Sequence, residues 1–145
     1  MAGETTTWPK AAATYPAYTP LSGVIACVET CVTIPTTGME LADVHQLVRV
    51  PKGARVTGGE LWVDDFDSST GCVLAVGDGV DDDRYITASA IGQTGGRASF
   101  GRSGTLGDYT YPAEDTIDLK FTTAPSGTAA AGKAKLVVYY VVERS

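Results

Sequence analysis

Along Asp115-Thr-Ile-Asp-Leu-Lys-Phe-Thr, apolar and polar residues alternate strictly: Ile117, Leu119 and Phe121 fall on one face, and Thr116, Asp118, Lys120 and Thr122 on the other. A period of two marks a half-buried strand, one side against a core and one toward water. The stretch from Thr123 to Lys133 carries Pro, Ser and Gly and no strand-forming run, so it reads as a connection. From Ala134 to Val142 the chain turns rich in β-branched and aromatic residues. Lys133 and Lys135 keep one face polar at its start, but from Leu136 onward both faces are apolar. Such a strand has to be covered on both sides, and the expected second cover is an arm of this chain or another subunit.

A chain of 145 residues supports one domain with a real core and is short for two. Hydrophobic residues make up 43% and charged ones 19%, with 17 Gly and 7 Pro, which suits an ordered, turn-rich all-β protein. A formal charge of -6 without a run of Lys or Arg argues against nucleic acid and acidic membranes, because phosphate binding rests on cationic neutralisation. No stretch approaches the ~20 apolar residues that span a bilayer, and Met1-Ala-Gly-Glu-Thr-Thr-Thr lacks the features of a signal peptide. The expectation is a soluble protein made in a cytosol.

Residues 1–20 hold Pro9, Pro16 and Pro20 together with Trp8, Tyr15 and Tyr18, and no helix or strand period. Residues that precede proline are biased to extended backbone, so an extended arm is expected, with the domain proper over residues 21–145. Two readings of the arm stand side by side: a disordered leader, or a segment whose Trp8, Tyr15 and Tyr18 dock on a neighbouring subunit. From Leu21 to Ile34 a strand is expected, with Val24, Ala26, Val28, Val32 and Ile34 inward and Cys27, Glu29, Cys31 and Thr33 outward. Four residues along a strand span ~13 Å, beyond the ~4.4–6.8 Å between Cα atoms that a disulfide tolerates, so Cys27 and Cys31 do not bond each other. With three cysteines at least one thiol is free or pairs between chains, and Cys27, Cys31 and Cys72 are the candidates for bonds between subunits. Small hydrophobes filling a sheet is the plainer reading of each.

Further along, Pro35 to Gly38 reads as a turn and Val44 to Val50 as a strand, with Val44, Val48 and Val50 on one face and His45, Leu47 and Arg49 on the other. His45 is the only histidine, and no Ser-His-Asp or multi-histidine metal set forms around it. Gly58-Gly59 suggests a bulge in a strand with Leu61 and Val63 on one face and Glu60, Trp62 and Asp64 on the other. Asp67 to Gly71 reads as the reversal of a hairpin into Cys72–Gly77, with Trp62 partly buried. The acidic run Asp78 to Arg84 lacks the D-x-D-x-D-G spacing of a calcium loop and reads as a solvated turn. Tyr85 to Ile91 is expected to be a short helix or irregular, Ala98 to Phe100 a short strand, and Gly101 to Asp108 a loop. No metal, cofactor or catalytic residue is identified.

Seven or eight short strands without a long helix predict an all-β antiparallel β-sandwich or jelly roll with an extended N-terminal arm. The succession Pro51-Lys-Gly-Ala-Arg-Val-Thr-Gly-Gly-Glu-Leu-Trp-Val-Asp-Asp-Phe-Asp, then Leu74-Ala-Val-Gly-Asp with Asp82-Asp-Arg-Tyr-Ile, then Tyr111-Pro-Ala-Glu-Asp-Thr-Ile-Asp-Leu and Leu136-Val-Val-Tyr-Tyr-Val resembles the jelly-roll decoration, or cement, proteins of tailed-bacteriophage capsids. The resemblance covers roughly residues 40–142 as a strand-and-turn pattern, outside which lie Trp8, Cys27 and Cys31. It implies a homotrimer on the outer surface of a phage head that clamps neighbouring major capsid protein subunits, with Val137, Tyr139 and Val141 at the subunit interface and no enzymatic activity. Another virion position, such as neck, collar or tail-fibre attachment, would use the same fold. A carbohydrate-binding sandwich would present Trp62, Tyr109 and Tyr111 on one face, and a hydrolase would draw its carboxylates from Asp64, Asp65 and Asp67.

Overall fold

The computed structural model describes residues 7–9, 23–103 and 109–142. Its strands are β1 (Thr7–Pro9), β2 (Ala26–Ile34), β3 (Val44–Val50), β4 (Ala54–Val63), β5 (Val73–Gly77), β6 (Ile86–Ser89), β7 (Gly96–Phe100), β8 (Asp115–Thr123) and β9 (Gly132–Val142). Single turns of 3-10 helix, Thr36–Gly38 and Ile91–Gln93, lie in two connections. No helix among the described residues is long and apolar enough to cross a membrane.

Two sheets make the sandwich, one in the order β2-β9-β4-β7 and the other in the order β1-β3-β8-β5-β6. Every pairing among β2 to β9 is antiparallel. With β2, β4, β7 and β9 in one layer and β3, β5, β6 and β8 in the other, the connectivity is the double Greek key of a jelly roll. The fold class read from the sequence is the one that forms. β1 extends the second sheet by pairing in parallel with the edge of β3, Thr7 beside Val44, Trp8 beside His45 and Pro9 beside Gln46. Tyr15 and Tyr18 lie outside the described residues.

The period-two faces fill one core. Ile117, Leu119 and Phe121 of β8 are fully buried, as are Ala134, Leu136, Val138 and Tyr140 of β9. Burying each large apolar side chain is worth about 1.5–3 kcal/mol, so these two strands alone anchor both layers. Gly59 lies where Phe100 packs: a Cβ at that position would overlap the Phe100 ring and the Val137 carbonyl.

Several local expectations are corrected. β2 begins at Ala26, and Val24 is exposed. In β3 the register slips between Gln46 and Val48, so Leu47 and Val48 both turn inward and His45 joins them. The imidazole Nε2 lies 2.7 Å from the Gly38 carbonyl and the ring meets Phe121 edge-on at 5.9 Å, while burial lowers its pKa from the ordinary value. His45 is a packing residue. The bulge in β4 falls between Val56 and Gly58, one residue ahead of the glycine pair. Tyr85 to Ile91 is mainly strand, as β6, because β5 offers it an open edge. The expected hairpin of 60–77 does not exist: β4 pairs with β9 and β7, whereas β5 pairs with β8 and β6. Asp67 to Gly71 instead carries the chain from one sheet to the other.

That crossover is organised by one carboxylate. Asp67 is buried and accepts backbone N–H groups from Ser69 (3.0 Å), Gly71 (2.9 Å) and Cys72 (2.9 Å) in its own loop. It also accepts those of Ser126 (3.0 Å) and Gly127 (2.9 Å) in the β8–β9 connection. Burial alone would raise its pKa, but the N–H groups favour the charged form and hold the carboxyl far below the ordinary carboxylate range. A group shifted down contributes stability that is full above its unfolded pKa and is lost as pH falls toward the native one. Asp67→Asn should therefore lower unfolding free energy at pH 7 by about 3 kcal/mol, measured by urea denaturation, and the deficit should shrink in strong acid.

Candidate interaction face

Strand alternation turns Cys27, Glu29 and Cys31 of β2 away from the core, and all three are exposed. The antiparallel register places Cys27 opposite Tyr139, Glu29 opposite Val137 and Cys31 opposite Lys135 on β9. Across β9, Val137 stands opposite Glu60 and Lys135 opposite Trp62 of β4, and Trp62 in turn stands opposite Arg97 of β7. These residues form rows across the outward face of the four-stranded sheet. Tyr139 is 38% exposed and Trp62 42%, whereas Val137 in the row between Glu29 and Glu60 is buried. Val141, opposite Arg55, is half-buried.

The tryptophan is held in place. Its Nε1 donates to Glu60 Oε2 at 3.0 Å, the Arg97 guanidinium stands 5.2 Å from the ring and the Lys135 ammonium 6.0 Å. Arg97 also pairs with Glu60 at 3.6 Å. An exposed aromatic with its orientation fixed loses little entropy on contact, a property of interface anchors. The structure thus brings Cys27, Cys31, Val137, Tyr139 and Val141 onto one face and adds Trp62 to them. Trp8 is not among them, since its backbone lies at the edge of the other sheet beside His45.

Cys72 departs from the sequence expectation. It is fully buried in the core beneath Gly92, and burial, reinforced by Asp67 and Asp65, pushes its thiol up to about 12. A bond from Cys72 to another chain would require opening the sandwich. Only Cys27 and Cys31 are placed to meet a neighbour.

The aromatics named for carbohydrate binding do not share one exposed face, and the named carboxylates are engaged by backbone N–H groups. Tyr111 is in the core, Tyr109 meets it edge-on at 5.1 Å and lies under the Arg84 guanidinium at 3.5 Å, and Trp62 alone stands on the outward face of the β2-β9-β4-β7 sheet. Asp67 is consumed by the crossover, Asp64 accepts the Lys133 N–H at 2.7 Å and Asp65 accepts the Asp67 N–H at 3.1 Å.

The acidic turn after β5 is not wholly solvated. Asp78 is buried and accepts Arg84 Nε (2.6 Å), the Tyr111 hydroxyl (2.9 Å) and the N–H groups of Val80 and Asp81. Burial would raise its pKa, and these donors, Arg84 foremost, lower it on balance. With the Tyr111 proton committed to Asp78, Tyr85 donates to Tyr111 at 2.9 Å, and burial pushes the Tyr85 hydroxyl up to about 12. The loop so anchored folds back over Gly77, where a Cβ would strike the backbone of Asp81 and Asp82. Gly77 is the β5 neighbour of Asp118, which explains a second surprise: Asp118, expected to face water, is only 7% exposed. Burial, aided by Asp115 and Asp78 and opposed by a hydrogen bond from Thr116, pushes its carboxyl up to about 7. Between its ordinary 3.8 and that value the unfolded chain has released a proton that the folded chain keeps. Its contribution to stability therefore falls as pH rises through this window. Among the described residues, no group of three or more His, Cys, Asp or Glu is arranged to hold a metal ion.

No protein-family model matches the chain, and no curated protein matches it significantly in sequence. Solved structures do match it in fold. A chain of the capsid of Ralstonia phage GP4 superposes with a TM-score of 0.81 at 20% identity, over 97% of this chain and 100% of that one. A chain of the cyanophage Pam1 capsid matches with a TM-score of 0.68 at 24% identity, over 89% and 91%. One from the capsid of Helicobacter pylori bacteriophage KHP30 matches with 0.59 at 15% identity, over 84% and 90%.

Thiol accessibility checks the placement of the cysteines. A maleimide reagent should label two thiols per chain in the native protein, at Cys27 and Cys31, and the third, Cys72, only in denaturant, as read by mass spectrometry after digestion.

Proposed function

We propose that this chain is a virion structural protein, and within that class a decoration subunit. In this reading it binds the outer surface of a tailed-phage head as a homotrimer and stabilises contacts between major capsid subunits. The observation that carries the reading is the end-to-end likeness to a chain of a phage capsid, 97% of one on 100% of the other, so that capsid component is a jelly roll of about the same size. The net charge of -6 favours contacts with protein over contacts with nucleic acid.

The outward face of the β2-β9-β4-β7 sheet is the surface assigned to subunit contact. It combines a fixed Trp62, a half-open Tyr139 and flanking charges, the mixed composition of a contact made between folded partners. Trimerisation multiplies a modest affinity, since the second and third contacts form at high local concentration once the first is made. Trp8, Tyr15 and Tyr18 of the arm would widen the footprint onto a neighbouring subunit. Cys27 and Cys31, reduced in a cytosol, would meet oxidising conditions after release and join neighbouring subunits through disulfides. Attachment at a neck, collar or tail fibre is the second reading, and it differs in the partner bound.

Light scattering on the purified protein, paired with sedimentation on undecorated heads, tests the assignment. A mass of three chains and saturable coating at a fixed ratio are the expected results, and a monomer that ignores heads overturns them. For the cysteines, non-reducing electrophoresis of released particles should show multimers that Cys27→Ser with Cys31→Ser abolishes, and monomer-only bands would remove the disulfide from the proposal.

A further inference from the structure

On the outward side of the five-stranded sheet, between β3, β8 and the loop after β5, lies a cavity of about 260 Å³. Its walls include Val44 and Gln46 from β3, Asp118 and Lys120 from β8, and Asp78 and Asp82 from the loop. That volume exceeds the ~30 Å³ share of a single water several-fold, so it admits the end of a side chain.

The charges around it do not balance. Asp78 is already saturated by Arg84, Tyr111 and two backbone N–H groups. Asp82 is paired with the Lys120 ammonium, and no ion pair joins Lys120 to Asp118 among the described residues. Asp118 is left as the one lining carboxylate with no cation, and its buried Oδ1 has no hydrogen-bond partner among the described residues. Other charged groups nearby are committed or point elsewhere. Arg49 on β3 pairs with Glu114 at 3.4 Å and His45 faces the core. Asp115 on β8 accepts the Thr116 N–H, Asp81 pairs with Arg84, Asp83 is a further acid of the loop, and β5 contributes only Gly77 here. A buried carboxylate with an unused acceptor is costly, which makes the cavity a place where an added cation gains much.

We propose that this cavity seats the ammonium group of a lysine side chain presented by the protein surface on which the chain docks. A divalent cation is the poorer fit, since it asks for six or more oxygens and no three-residue ligand group is present among the described residues. Arginine is also the poorer fit, because its planar fork wants both carboxylate oxygens and Thr116 already engages this carboxylate. An ammonium is a compact point charge served by the Asp118 carboxylate, which lines the cavity, and by the Gln46 carboxamide, which stands opposite Asp118 in the register. The hydrocarbon stem would lie along Val44.

The identity of the docking surface rests on the decoration reading, but the chemistry of the cavity does not, and it can be read on the isolated protein. The Asp118 carboxyl and the Gln46 side-chain amide would be followed by NMR during pH titrations at constant ionic strength. The added probes would be n-butylammonium, n-butylguanidinium or calcium. n-Butylammonium should lower the Asp118 midpoint by about one unit, a tenfold preference for the ionised form, and shift the Gln46 amide. The Gln46 shift should vanish in Asp118→Asn, while Gln46→Leu should weaken the change in the Asp118 midpoint. Asp82→Asn should free Lys120 to fill the cavity and abolish the response to the probe. A larger effect from calcium or from n-butylguanidinium would overturn the assignment to lysine, and no response to any probe would make Asp118 a buried neutral acid with a structural role. Loss of head binding with the probe response intact would instead count against the docking partner alone.

Discussion

Five backbone N–H groups converge on the carboxylate of Asp67, three from the loop that crosses between the sheets and two from the connection between β8 and β9. A jelly roll has to pass its chain from layer to layer several times, and each passage exposes peptide groups that neither sheet can satisfy. Here a single buried charge satisfies two such passages at once and ties them together. Gly71 and Gly127 allow the approach: a Cβ on either would strike a serine of the facing loop. The mutual position of the two layers at this end of the sandwich depends on this contact.

A second carboxylate does comparable work after β5. Asp78 ties the 78–84 loop to Tyr111 and to Arg84, whose guanidinium covers Tyr109, and that loop then roofs Gly77 and Asp118. The two outer faces of the sandwich differ as a result. One carries an open sheet surface with Trp62 and Tyr139, and the other is partly closed by a polar loop that leaves an acidic hollow.

What was legible in the sequence follows from the physics of each signal. Alternation in β8 and the doubly apolar run of β9 gave the core faces directly, because period two maps onto a pleated strand without reference to anything else. The outward placement of Cys27 and Cys31 came the same way. His45 and Leu47 were assigned to the wrong face because a register slip in β3 inserts one residue and reverses the alternation beyond it. The link between β4 and β5 was read as a hairpin because Asp67 to Gly71 has turn composition, and composition does not say which sheet the next strand joins. Asp67 was read as a turn residue, and Asp78 and Asp118 as solvent-facing since aspartate mostly is, and their burial depends on partners up to 60 residues away. Gly77 was the one local hint, a small residue placed beside Asp118 where a loop must come close.

The central place of β9 has a kinetic consequence. β9 lies between β2 and β4, so neither of those strands has that neighbour until residue 142 has been synthesised. At roughly 5–20 residues per second, the ~100 residues that separate β2 from β9 leave β2 without this partner for some five to twenty seconds of translation. Pairings this distant in sequence are also the slow ones to close. The pairings of β2 and β4 with β9 are therefore late ones, whereas β4 and β7 are both made before β9. Removing the last strand would take away the centre of that layer, with its two flanking pairings, where removing β7 would cost only an edge.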